Sequence, residues 1–242
     1  MVDSISDEPT RGQIWLIGGI KGGTGKTTLA LSLGSLVRRD GYDLLMVDAD
    51  RQQTLTKWAG LRGELGVKPP LTVVTKRGAR IAADILALAA KYDLVIVDCG
   101  GADAAELRSA LIAADRLFTP LVASQPDAWS LGELAAVIED ANSVRPEPII
   151  GEVVVARAST NPIHDELGEI KETLSDLVCF RVMRSVVRER IAHRKAVMVG
   201  RSVIEMDKRD SRATSEILAL YREIMATVGE LEETDGEQAE TP

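Results

Sequence analysis

The chain has 242 residues, 45% hydrophobic and 27% charged, which is enough to bury one sizeable core near the upper size of a single domain. A net charge of −8 argues against a protein that coats nucleic acid with its whole surface. No apolar run approaches the roughly 18–20 residues that a bilayer span requires, and the acidic start with Asp3, Asp7 and Glu8 lacks the features of a secretory signal, so the chain is expected to stay in the cytoplasm.

Residues 1–12 read as a disordered extension. From there, short apolar runs rich in Val, Ile and Leu recur at 14–17, 44–47, 71–74, 94–97, 117–122 and 149–155. Without polar alternation, such runs are strands covered on both faces. Segments with helical spacing lie between them, at 26–39, 55–63, 79–91, 104–114, 131–144 and 162–177. Strand and helix alternating in this way give an α/β fold, a doubly wound and mostly parallel sheet with helices on both faces. Beyond Cys179 the order is harder to read until 216–228, where Ile217, Leu220, Tyr221, Ile224, Met225 and Val228 share one helical face. Residues 230–242 hold six acids and no base, and are expected to be a disordered tail after one domain spanning 13–229.

The first strand runs into Lys21-Gly22-Gly23-Thr24-Gly25-Lys26-Thr27-Thr28, which opens a helix. In this context a glycine-rich loop is a phosphate cradle. Its glycines let backbone N–H groups curl around phosphate oxygens, and the helix adds its positive N-terminal end. Lys26 would reach the β- and γ-phosphates, and the Thr27 hydroxyl would sit on Mg²⁺. Lys21 on its own is either a second phosphate contact or a solvated loop lysine. The second strand ends on Asp48 and Asp50, at the sheet edge where α/β folds collect ligands. By itself Asp50 is either a site acid or a turn and cap residue. The fourth strand ends on Asp98, an acid suited to holding Mg²⁺ through water, followed by Gly100-Gly101 for close approach to a γ-phosphate. No guanine-selecting Asn-Lys-x-Asp occurs, so ATP and ADP are favoured over GTP.

Between 181 and 212 there are ten bases against four acids, opposite in sign to the whole chain. The stretch is either a nucleic-acid footprint working through phosphates or a solvated face laced with ion pairs. Cys99 and Cys179 read as reduced, packed thiols. His164 and His193 read as surface or capping residues, and Trp58 as either core or dimer surface.

Taken together, Lys21 to Thr28, the acids at 48 and 50, residues 96–98 and the segment Leu55-Thr56-Lys57-Trp58 resemble the ParA/ParF-type partition ATPases, within the deviant Walker-A (ParA/MinD) group of P-loop NTPases. The resemblance implies an ATP-bound homodimer in which Lys21 reaches the partner's phosphates. Asp50 orients the attacking water and Asp48 lies near the metal shell. Arg157, Gln125 and Pro126 occupy places where the family grips adenine. Arg181, Arg184, Arg188, Arg190, Arg194, Lys195 and Arg201 would hold non-specific DNA, and a cargo-bound, ParB- or ParG-like adaptor would stimulate a slow Mg²⁺-dependent hydrolysis. The ATP state would then be nucleoid-associated. The cargo would be a plasmid, a chromosome region or a protein organelle such as a carboxysome or chemoreceptor cluster. The sequence departs from the family in Arg51-Gln52-Gln53, where Pro-Gln usually follows the acid. Rival readings on the same scaffold are a MinD-like membrane switch, opposed by the acidic terminus, and an ATP-dependent small-molecule ligase.

Overall fold

A computed structural model describes residues 11–78, 80–101, 104–122, 128–161 and 165–238. Seven strands, β1 (Gln13–Ile17), β2 (Leu44–Asp48), β3 (Thr72–Thr75), β4 (Leu94–Asp98), β5 (Arg116–Val122), β6 (Gly151–Ala158) and β7 (Phe180–Arg188), form one sheet in the order β3-β2-β4-β1-β5-β6-β7. Every pairing is parallel, as the unbroken apolar runs require. The helices are α1 (Lys26–Arg39), α2 (Thr54–Glu64), α3 (Ile81–Ala89), α4 (Ala104–Ala113), α5 (Ala128–Asn142), α6 (Glu166–Thr173), α7 (Ile191–Val197) and α8 (Ser211–Gln238).

Alternation along the strands divides the core. Trp15 and Ile17 of β1 face a layer built with Leu29, Leu33, Leu55, Trp58, Ile217 and Leu220 from α1, α2 and α8. Ile14 and Leu16 point the other way, against Ile81, Ile85, Leu107, Leu111, Leu134 and Ile138 from α3, α4 and α5. Successive side chains of a strand project to opposite faces, so one five-residue strand nucleates both layers. Trp58 is thereby settled as core. It is 3% exposed, with its indole N–H donated to the Arg201 carbonyl at 3.3 Å.

The sheet order also positions the site. β1 lies between β4 and β5, and the chain leaves β1 toward β2 on one side and leaves β4 toward β5 on the other. Their connecting segments diverge at the carboxyl edge and open a crevice there, the place where doubly wound sheets take ligands.

Two expectations about the periphery are corrected, and one stretch the sequence left unread is resolved. Arg11 and Gly12 belong to the folded body: Arg11 makes paired hydrogen bonds to Asp115 at 2.7 and 2.8 Å, and the Gly12 N–H reaches the Ala89 carbonyl. The last helix runs on to Gln238, so the backbone from 230 to 238 is helical where a disordered tail was expected. Glu, Leu and Gln are good helix formers, and a formed helix extends without a new nucleation cost. The stretch after Cys179 contains a seventh strand that the apolar pattern did not reveal.

Beneath β5 to β7 lies a buried ion pair. Arg116 and Glu152 join through two bonds of 2.7 and 2.8 Å, with side chains 6% and 5% exposed, and Arg116 also donates to the Ile224 carbonyl and stacks 4.8 Å from the Phe118 ring centre. Arg181 approaches the same carboxylate from outside at 2.8 Å. Removing one member leaves the other charged and desolvated, so Glu152→Ala is expected to lower stability by about 3–5 kcal/mol in urea unfolding.

Candidate functional site

The loop after β1 curls through two left-handed glycines, Gly23 (φ 73°) and Gly25 (φ 100°), the second of which starts α1. No side chain caps that helix, so its first N–H groups face the crevice. Gly101, just past β4, packs so close to this loop that a Cβ there would come within 1.8 Å of the Ile20 carbonyl. Any side chain at 101 would push the two loops apart.

Lys26 is 7% exposed, and its ammonium donates to the Lys21 carbonyl at 2.6 Å. Burial lowers its pKa, while the carboxylates of Asp98 and Asp50 pull it back up. Lys21 is half-buried at the mouth of the same loop.

Asp98 ends β4, is 1% exposed, and neither carboxylate oxygen completes a hydrogen bond. Burial pushes its pKa up to about 7. The nearby Thr27 hydroxyl and Lys26 oppose the rise, and Asp48 and Asp50 add to it. Two orphaned carboxylate oxygens beside a threonine hydroxyl suit a hard cation that keeps part of its water and takes its other oxygens from phosphates. Among the described residues no three His, Cys, Asp or Glu side chains gather into an all-protein metal cage. Mg²⁺ bound there would neutralise charge on the β- and γ-phosphates.

The raised value has a consequence for the metal-free protein. An unfolded aspartate titrates near 3.9. The folded state therefore holds an extra proton between about 4 and 7, and this group's contribution to stability is lost as pH rises through that window. Asp98→Asn, free of the titration, is expected to gain on the order of 2 kcal/mol over the native protein between pH 5 and pH 8 in chelator. Urea unfolding at the two pH values checks this.

Asp48 is paired in register with Asp98 and fully buried. Its carboxylate is already engaged: Oδ2 accepts from the Thr56 N–H and hydroxyl at 2.8 and 2.7 Å, and Oδ1 from the Asp50 N–H at 3.1 Å. Gln53 at the start of α2 has φ 53° and offers no side-chain cap, so Asp48 caps this helix from the neighbouring strand. Asp48 was expected near a metal; both of its oxygens are instead engaged in ordering residues 50–56. Asp50 leans over Gly100, whose added Cβ would fall 2.6 Å from the Asp50 Cγ, and it accepts the Gln52 N–H at 2.9 Å. The Arg51-Gln52-Gln53 segment is therefore pinned by two acids despite the missing proline.

A cleft of about 450 Å³ extends from the loop to the far side of β6 and β7. Residues 22–29, Asp50 and Arg157 line it, as the sequence suggests. Gln52, Thr54, Glu189 and His193 line it too, and the sequence did not mark them. Arg157 has φ 50°, donates to the Gly23 carbonyl at 2.7 Å and pairs with Glu189 at 2.9 Å. It thus braces the phosphate loop from β6. His193 is corrected from a surface or capping residue to a buried one. Gln125, Pro126 and His164 lie outside the described residues. Cys99 is buried with its thiol pushed up to about 12, chiefly by burial, and both cysteines are free.

The basic stretch does not form one continuous surface. Arg188 and Arg190 pair with Glu216 at 3.4 and 2.6 Å, Arg201 with Asp207 at 2.9 Å, and Arg181 with Glu152 at the opposite end of β7. Edge strand β7 is covered by α8, whose Glu216 and Glu223 accept its free N–H groups, and this explains where several of those arginines point. Arg184, Arg194 and Lys195 remain exposed. Lys195 joins Lys208 and Arg209 along a second groove of about 510 Å³ on the outer side of α7.

Over 210 residues the chain is 25% identical to the "Maintenance of carboxysome distribution protein A" of Halothiobacillus neapolitanus, covering 86% of this chain and 94% of that one. It is 26% identical to the "Cell division protein PomZ" of Myxococcus xanthus, covering 85% and 75%. An ATP complex of a McdA variant from Cyanothece shares the fold, with a TM-score of 0.73 at 18% identity over 89% of this chain and 97% of that one. No described helix is long and apolar enough to cross a membrane. The family model described as the CobQ/CobB/MinD/ParA nucleotide binding domain matches residues 15–213, and the chain belongs to that family.

Proposed function

We propose that residues 13–229 act as one ATPase unit that dimerises on ATP, holds DNA without sequence preference while ATP is bound, and so positions a cargo whose adaptor triggers hydrolysis. The observation that carries this reading is the double role of α7. His193 and Arg194 line the nucleotide cleft, while Ile191, Ala192 and Lys195 of the same short helix line the basic outer groove. A nucleotide that shifts α7 therefore shifts the cations nearest DNA, which is the differential interaction a switch needs. The DNA contact is narrowed to Arg194 and Lys195, extended by Lys208 and Arg209 and with Arg184 on the strand edge; the ion-paired arginines serve structure. Lys26, Lys21 and Asp50 would act on the γ-phosphate, and Thr27 and Asp98 would hold Mg²⁺.

On the nature of the cargo, a protein body is favoured by the relative named for carboxysome distribution, with plasmid or chromosome partition as the other outcome. Sedimentation of the Asp50→Ala protein with ATP and with ADP tests the dimer: a two-fold mass increase confined to ATP supports the reading. A monomer in both states, with hydrolysis by the native protein raised by a small carboxylic acid and not by DNA, would replace it with a ligase.

A further inference from the structure

His193 is the polar group in the cleft that the reading above leaves unexplained. It is 9% exposed, and neither Nδ1 nor Nε2 has a hydrogen-bond partner. Buried polar atoms are almost always paired, and an exception asks for a cause. It lines the same cleft as the apolar side chains of Leu29, Val154, Val187 and Ile217 and the glycines of the phosphate loop. Apolar side chains beside an unpartnered imidazole suit a flat, weakly polar heterocycle, while the glycine loop suits its phosphates. Four charged or titratable groups bear on the imidazole or flank it: Arg190, Arg194, Glu216 and Asp210. Burial first, with help from Arg190, holds it below the usual histidine range against Glu216 and Asp210. A neutral imidazole keeps one acceptor nitrogen.

Resting on the nucleotide reading, we propose that His193 is a specificity-determining residue for the base, its acceptor nitrogen taking a hydrogen bond from the 6-amino group of adenine.

The test is a cycle between protein and ligand, read by calorimetric titration. The native protein is expected to bind ATP about five- to tenfold tighter than purine riboside triphosphate, which lacks the amino group. His193→Leu is expected to bind the two alike, at the weaker level, while His193→Gln keeps most of the preference. Inorganic tripolyphosphate should bind the native protein and His193→Leu equally. Without nucleotide, His193→Leu should melt no lower than the native protein, because an orphaned imidazole is replaced by an apolar side chain of similar size. An unchanged preference in His193→Leu, an equal loss for tripolyphosphate, or a lower melting point with ATP binding intact would make His193 a packing residue and overturn the proposal. Failure of the native protein to bind ATP at all is a separate outcome, and it removes the nucleotide reading as well.

Discussion

Replacing Lys26 by alanine is expected to weaken ATP binding at least about a hundredfold and to leave no measurable hydrolysis, without unfolding the protein. The ammonium is buried at the mouth of α1 and donates to the Lys21 carbonyl, at the crevice edge instead of in either apolar layer of the core. Its charge matters more. Asp98 and Asp50 both act on Lys26, and without it the phosphates nearest the loop would face those carboxylates with no ammonium between them. In a site of low dielectric, opposing charges of that kind are worth several factors of ten in affinity. Calorimetric titration with Mg²⁺-ATP reads the loss directly. Retention of native affinity would mean that the phosphates bind elsewhere.

Asp50→Ala is expected to do the reverse, keeping ATP affinity within a few-fold while hydrolysis falls about a hundredfold or more. Asp50 is half-exposed over Gly100, beside the crevice instead of under the loop, so it is available to a water attacking in line. Its other duty is local: one oxygen accepts the Gln52 N–H and shapes the segment into α2. Asp50→Asn keeps an acceptor for that bond and removes only the charge, which separates the two duties. Equal loss in both variants assigns the effect to the carboxylate's chemistry. Loss in alanine alone assigns it to loop geometry.

Much of the site was readable because its chemistry is contiguous in the chain. The phosphate loop, Asp98 and Asp50 each follow an apolar strand directly, and the strand tells where the acid or loop must lie. Asp48 shows the limit of that inference. A sequence gives its place at the strand end, but only the fold reveals that Thr56, eight residues on, and the Asp50 N–H already occupy its two oxygens. The stretch after Cys179 was hardest because β7 is an edge strand: Phe180-Arg181-Val182-Met183-Arg184 mixes arginines into a half-covered surface, and its pattern reads as charge instead of strand. That same mixture made seven bases look like one patch. Glu152 and Glu216 claim three of them and Asp207 a fourth, and no spacing rule connects residues so far apart in the chain. His193 lacked any ligand-spaced partner, so only its burial in the fold gave it significance.

On the proposed reading, ATP turns on DNA binding through α7. Binding of the native protein to a random-sequence duplex would be measured with ADP, with ATP, and with ATP after the paired change Arg194→Ala and Lys195→Ala, each over a salt series. The account predicts binding only with ATP, falling steeply with salt, and reduced at least about tenfold in the paired variant with a shallower salt slope. DNA binding that ignores the nucleotide, or that survives the paired change unaltered, would contradict it.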